Sequence, residues 1–187
     1  MVALIRPKVR ALIGDLGSSG FESFVYRNTD TFVLAEENIS TITKVFLNGT
    51  ELGTGEYSYD STTNRLTISV TGLSNSDIIQ VYYTYYKYSD TEITEYIRGA
   101  LVWITYGAYK ETDYELEEDD IYPTPDNRTI DLISLITSIL IKPDYTTYRL
   151  PTVTVVYGGR MPKDEKIEKL VSKFYYGLGV SGIIEFE

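Results

Sequence analysis

Residues 111 to 120 hold seven carboxylates in ten positions, Glu111, Asp113, Glu115, Glu117, Glu118, Asp119 and Asp120. Oxygen ligands at that density are the raw material of a hard-cation site. The run lacks the D-x-[DN]-x-[DN]-G spacing and the twelfth-position glutamate of an EF-hand, so a dedicated calcium loop is not specified. A solvated loop is the plain alternative. A third reading is a repelling wall past which DNA slides without sticking, which makes Asp113, Glu115, Glu117, Glu118, Asp119 and Asp120 candidate channel-facing residues. The second concentration is aromatic: of eighteen tyrosines, Tyr82, Tyr83, Tyr85, Tyr86 and Tyr88 crowd one stretch. Strand alternation puts Tyr83 and Tyr85 on one face and Tyr82, Tyr86 and Tyr88 on the other. Tyr83 and Tyr85 are the candidates for a stacking surface that takes a sugar. Strand propensity and cross-strand packing are the structural alternative.

Other chemistry is thinned by absence. The chain has no cysteine and no histidine, which removes thiol nucleophiles, disulfides, sulfur-ligated zinc and the nucleophile–histidine pairs of most hydrolases. Gly53-Thr-Gly55 and Gly177-Leu-Gly179 lack the further glycine, the lysine and the strand-to-helix setting of a phosphate loop. Carboxylate pairs are too many in so acidic a chain to single out a glycosidase pair. The expectation is a protein without enzymatic activity, cofactor or metal. The net charge is −10. Residues 89 to 187 carry eighteen acids against ten bases, whereas residues 1 to 88 carry nine against seven. Long-range repulsion from phosphates argues against sequence-specific DNA binding but not against proximity to DNA. With no apolar run of membrane-spanning length and no secretory pattern, the expected setting is a cytoplasm.

The elements that must position these residues read as an α+β chain. A helix over residues 4 to 14 carries Pro7 near its start and Gly14 as a left-handed stop. Residues 16 to 29, with Phe21, Phe24 and Tyr26, read as an anchored loop. Five strands follow within Thr31–Leu34, Thr43–Leu47, Tyr57–Tyr59, Arg65–Val70 and Ile78–Tyr86, with Asn48-Gly49 as a two-residue hairpin turn. Their spacing predicts a small sandwich or barrel. Ser89 and Glu92 form a capping-box pattern opening a helix whose stripe runs Ile93, Tyr96, Ile97, Ala100, Leu101, Ile104 and Ala108. A second helix, Thr129 to Ile141, is apolar almost all round. Pro151 to Tyr157 reads as an exposed or edge strand. A last helix, Lys163 to Tyr176, turns Ile167, Leu170, Val171 and Phe174 inward and Lys163, Lys166, Lys169 and Lys173 outward, and ends at Gly177 and Gly179. Ile183, Ile184 and Phe186 form a terminal strand or tail, a candidate subunit or portal contact by strand addition. The organisation is a helical bundle of three to four helices, residues 1–29 and 87–187, interrupted by a five-stranded β insert, residues 30–86.

Two short motifs flank that interruption. Arg10-Ala-Leu-Ile-Gly-Asp15 and Ser89-Asp-Thr-Glu-Ile93 read as consecutive pieces of one unit once the insert is removed. Residues 5 to 15 resemble the opening of head-tail adaptor proteins of long-tailed bacteriophages. Ser89 to Ile93 resembles the Thr/Ser-Asp-x-Glu-Ile/Leu start of that family's next helix, and the helices ending at Ile141 and Tyr176 are similar to its later layout. The insert departs from the plain family and resembles the immunoglobulin-like modules of phage structural proteins. The resemblance implies a structural virion protein at the head-tail junction, made in the bacterial host cytoplasm. It implies a twelve-subunit ring below the portal protein, which lets double-stranded DNA pass and docks a downstream neck or tail protein. The alternative is a binding module whose tyrosine-rich insert recognises glycan or another virion protein.

Overall fold

The computed structural model describes residues 1–106, 112–159, 161–176 and 182–186. Ala108 of the expected helical stripe, Glu111 of the acidic run and the Gly177 and Gly179 stops lie outside them. The chain is α+β and divides into two compact units, Met1–Asp15 with Asp90–Glu187, and Leu16–Ser89.

The first unit is helical with small sheets. Helix α1 (Val2–Ile13) buries Val2, Ile5, Val9, Leu12 and Ile13, the 3.6-residue stripe that the sequence carries. It begins two residues before the expected start, which leaves Pro7 inside the helix. Its C-terminus is a Schellman motif: Gly14 takes the left-handed conformation at φ 74°, its N–H donates to the Ala11 carbonyl, and the Asp15 N–H reaches back to the Arg10 carbonyl at 2.9 Å. Helix α2 (Asp90–Tyr106) buries Ile93, Ile97, Ala100, Leu101 and Ile104. Tyr96, expected on the same stripe, is 39% exposed. Helix α3 (Asn127–Ile141) opens on Asp126, whose carboxylate accepts from the Thr129 N–H at 2.7 Å and is held below its ordinary pKa by that bond. α3 packs against α1, α2 and helix α4 (Lys163–Tyr176). Being central it is buried nearly all round, as its composition predicts. Its polar Ser134 and Ser138 survive there by bonding the Ile130 and Ser134 carbonyls one turn back.

A three-stranded sheet completes this unit, in the order β10 (Thr147–Arg149), β11 (Val153–Tyr157), β12 (Gly182–Phe186). β11 pairs antiparallel with β10 and parallel with β12. The segment expected at an edge is therefore the central strand. Val153, Val155 and Tyr157 are buried on one face, while Pro151 stays outside the ladder.

Lys166 is the clearest departure in α4. It was expected outward, yet it is 1% exposed. Its ammonium donates to the Pro143 carbonyl (2.5 Å) and the Tyr145 carbonyl (2.8 Å) just beyond α3, and lies 5.4 Å from the centre of the Tyr157 ring. The period of α4 places position 166 beside buried Ile167 and Leu170. A long stem can fill that space when carbonyls receive its head. Burial lowers its pKa, with Asp144 opposing the shift.

The second unit consists of two sheets. One has the order β1 (Ser18–Val25), β7 (Ile78–Tyr85), β3 (Ile39–Leu47), β4 (Thr50–Glu51). The other runs β2 (Thr31–Val33), β6 (Arg65–Ile68), β5 (Tyr57–Asp60). Phe32, Leu34, Leu66 and Ile68 from the second sheet and its flank join Ile39, Val45, Ile79, Val81 and Tyr83 in one buried cluster. Asn48 and Gly49 turn β3 into β4 with φ of 49° and 83°, the mirror-image turn expected of that pair. The insert holds seven strands rather than five. The sequence predicts a loop where β1 lies, because Ser18-Ser-Gly20 carries no strand propensity. Its register against β7 is nevertheless continuous from Ser18 opposite Tyr85 to Val25 opposite Ile78. Gly20 is required there, since a Cβ would lie 2.1 Å from the Tyr83 ring. The unit accordingly starts at Leu16 and not near Asp30.

The environment of Lys166 sets an alkaline signature. Its folded pKa is depressed, so between that value and the ordinary lysine value the unfolded chain binds more protons, and stability rises with pH. Buried Tyr148 and Tyr157 have raised pKa values and act oppositely, lowering stability above about pH 10, where unfolded tyrosine ionises. Urea unfolding between pH 7 and 10 should therefore show wild-type stability rising with pH relative to Lys166→Met, which lacks the titrating group.

Candidate functional site

The acidic run forms a hairpin, β8 (Glu115–Glu117) and β9 (Asp120–Tyr122), turned by Glu118 and Asp119 with Glu118 at φ 52°. Ile121 is buried and fixes the hairpin, while Asp113, Glu115, Glu117, Glu118, Asp119 and Asp120 are exposed. These carboxylates do not converge. Asp119 accepts from the Arg6 guanidinium at 2.8 Å, and its carbonyl receives the Val2 N–H at 2.9 Å. Asp119 thus satisfies an unpaired donor at the start of α1. Asp113, Glu115 and Glu117 line a cavity of about 430 Å³ against Leu101, Val102 and Thr105 of α2. The Tyr114 N–H donates to the Thr105 hydroxyl at 3.0 Å, tying this segment to α2. Among the described residues, no three His, Cys, Asp or Glu side chains come together to hold a metal ion.

The three C-terminal candidates separate. Ile184 is 7% exposed and Phe186 stacks on Tyr157 with ring centres 5.1 Å apart, so both are engaged within the chain. Ile183, on the opposite face of β12, is 72% exposed. The strand is already paired on one side with β11. The terminal segment is therefore part of the fold, and Ile183 is the one of the three left facing outward.

The tyrosines invert the expectation. Tyr83 is 2% exposed, and its hydroxyl donates to the Glu22 carboxylate at 2.6 Å. Burial first, then this hydrogen bond and the Glu22 charge, push its pKa up. Tyr85 packs against the same core, 6.1 Å from Tyr83 between ring centres. Neither forms a stacking surface. The alternation was right and the choice of face was wrong, because Tyr83 and Tyr85 share their face with buried Ile79 and Val81.

A constellation that the sequence reading did not identify lies where the chain leaves and rejoins the helical unit. Arg10 is 9% exposed, and its guanidinium donates to Asp15 at 2.5 Å and to Asp90 at 2.8 Å. The Schellman turn folds Asp15 back over Arg10, so the backbone motif places the carboxylate that the arginine needs. Arg6 extends the cluster. It donates to the Thr94 hydroxyl at 2.8 Å, which in turn donates to the Asp90 carbonyl at 2.7 Å. The available signal was an arginine on the apolar side of α1 together with an aspartate at each broken end. This is an assembly of fixed charges with no reactive group, suited to joining segments and not to turning over a substrate.

No protein-family model matches the chain, and no curated protein matches it. No helix among the described residues is long and apolar enough to cross a membrane.

The two ion pairs of Arg10 should differ in weight. Asp15 is 8% exposed, whereas the Asp90 side chain is 62% exposed. Arg10→Met leaves a buried carboxylate uncompensated and should lower stability by about 3 kcal/mol. Asp90→Asn should lower it by less than about 1 kcal/mol. Denaturant unfolding and a double-mutant cycle measure both couplings.

Proposed function

We propose that the chain is a structural virion protein, a head-tail adaptor of a long-tailed bacteriophage. In this reading it forms a ring below the portal protein, extends the DNA channel and docks the next neck or tail protein. The observation that carries it is the meeting of the two motif segments of the resemblance at one guanidinium: Asp15 closes Leu-Ile-Gly-Asp, Asp90 follows Ser89, and Arg10 binds both. The motif residues are therefore the ones that hold the helical unit together across the insert, which gives their spacing a physical reason. A bundle built around α3 and a net charge concentrated in residues 89 to 187 suit the wall of a channel for a polyanion, where repulsion keeps DNA moving. Ring closure repeats one heterologous interface around an axis. Ile183, exposed on the last strand of its sheet, is the side chain we assign to that interface or to the portal. The protein works at the head-tail junction after synthesis in the bacterial cytoplasm and carries no catalytic centre.

Mixing the purified chain with the portal protein encoded in the same genome, followed by electron microscopy, tests this reading. A symmetric collar added to the portal is expected. Ile183→Glu should abolish the collar while changing monomer stability by less than about 0.5 kcal/mol, as a surface substitution does. Absence of a collar with the unaltered chain overturns the adaptor reading and leaves the helical resemblance as fold analogy.

A further inference from the structure

The outward face of the four-stranded sheet carries an exposed aromatic and aliphatic patch. Phe21 on β1 stands opposite Tyr82 on β7, and Val25 stands opposite Ile78 along the same ladder. These side chains are 52%, 40%, 52% and 45% exposed, respectively. The Phe21 and Tyr82 rings lie 4.8 Å apart at 45°, and Phe46 on β3 meets Tyr82 edge-on at 5.7 Å. Single exposed hydrophobes are ordinary, but a contiguous group across three neighbouring strands marks a contact surface.

Three properties of the patch select its occupant. First, it is net neutral on a protein of net charge −10: Lys44 opposite Tyr82 and Glu51 opposite Phe46 pair with each other at 3.5 Å. Second, polar and apolar cross-strand pairs alternate. Ser23 with Gln80 separates the aromatic pair from the aliphatic one, and Ser19 with Thr84 follows on the other side, so neutral hydroxyl and amide groups flank the rings. Third, the exposed area of the four side chains is on the order of 300 Å², well short of the roughly 800 Å² per partner that a stable protein interface uses. A neutral, hydroxyl-rich ligand with an apolar face and the size of one or two sugar rings meets all three conditions.

We propose that this face is a weak binding platform for a neutral oligosaccharide, with a pyranose stacked on Tyr82 beside Phe21 and Phe46, and Ser23 and Gln80 bonding its hydroxyls. The platform lies on the opposite side of β7 from Tyr83 and Tyr85. It does not depend on the adaptor reading or on ring formation.

Affinity electrophoresis of the full chain through gels containing dextran, hydroxyethylcellulose or glucomannan tests the proposal. Retardation by at least one polysaccharide is expected, with the dissociation constant weakened about tenfold in Tyr82→Ala, reduced likewise in Phe21→Ser, and unchanged in Tyr85→Phe. Near-ultraviolet circular dichroism and thermal unfolding establish that each variant is folded; the exposure of Tyr82 and Phe21 makes both replacements tolerable. Absence of retardation by all three polysaccharides, or equal retardation of the wild type and both patch variants, overturns the proposal. So does concentration-dependent self-association in sedimentation that Tyr82→Ala removes, since a second copy of the chain would then be the occupant.

Discussion

The two chain segments of the helical unit meet at one buried arginine, Arg10. The chain runs through α1, leaves for a β unit of seven strands and returns at α2, and the helical unit must be one object despite that detour. Arg10 meets this constraint by binding the last residue before the detour, Asp15, and the first residue of the helix after it, Asp90. An ion pair this buried contributes little net stability by itself, because desolvation offsets most of the attraction. What it contributes is specificity: a guanidinium with a fixed fork of donors accepts two carboxylates in one geometry, so both ends of the insert are held to one register.

Helices with a clear 3.6-residue stripe were legible in the sequence, and so were strands with strong propensity. α2 and α3 start within about two residues of their expected positions because polar residues, Asp126 as the cap of α3 among them, sit beside apolar runs, and β6 follows the alternation of Leu66, Thr67 and Ile68. The failures share one cause, which is that the deciding partner was distant in sequence. β1 has a weak strand composition and exists because β7 supplies its hydrogen bonds. β11 looked like an edge until β12 added itself alongside. Residue type alone places Lys166 in water, although the carbonyls of Pro143 and Tyr145, from the turn after α3, offer its ammonium a place inside.

The candidate site was legible in the same uneven way. The two motifs were visible as motifs, but not the arginine that gives them a shared purpose. A buried arginine is indistinguishable from an exposed one until its acceptors are located. The acidic run was visible as charge, but its division of labour was not: Asp119 serves the start of α1 and Arg6, while Asp113, Glu115 and Glu117 face a cavity beside α2. Charge density in the sequence therefore overstated ligand density in space.

The tyrosine-rich strand carries the same point further. Alternation is a statement about two faces and is silent about which one is wet; that choice belongs to the opposing sheet. Here Phe32, Leu66 and Ile68 cover the face that holds Tyr83, and the residues of the other face, Ile78 and Tyr82, stay exposed. Once the buried face has absorbed Tyr83 and Tyr85, the aromatic residues opposite cannot be credited to the core. Phe21 and Tyr82 pair with each other across the ladder, which accounts for their place in the sheet, while their outer ring faces stay open to water.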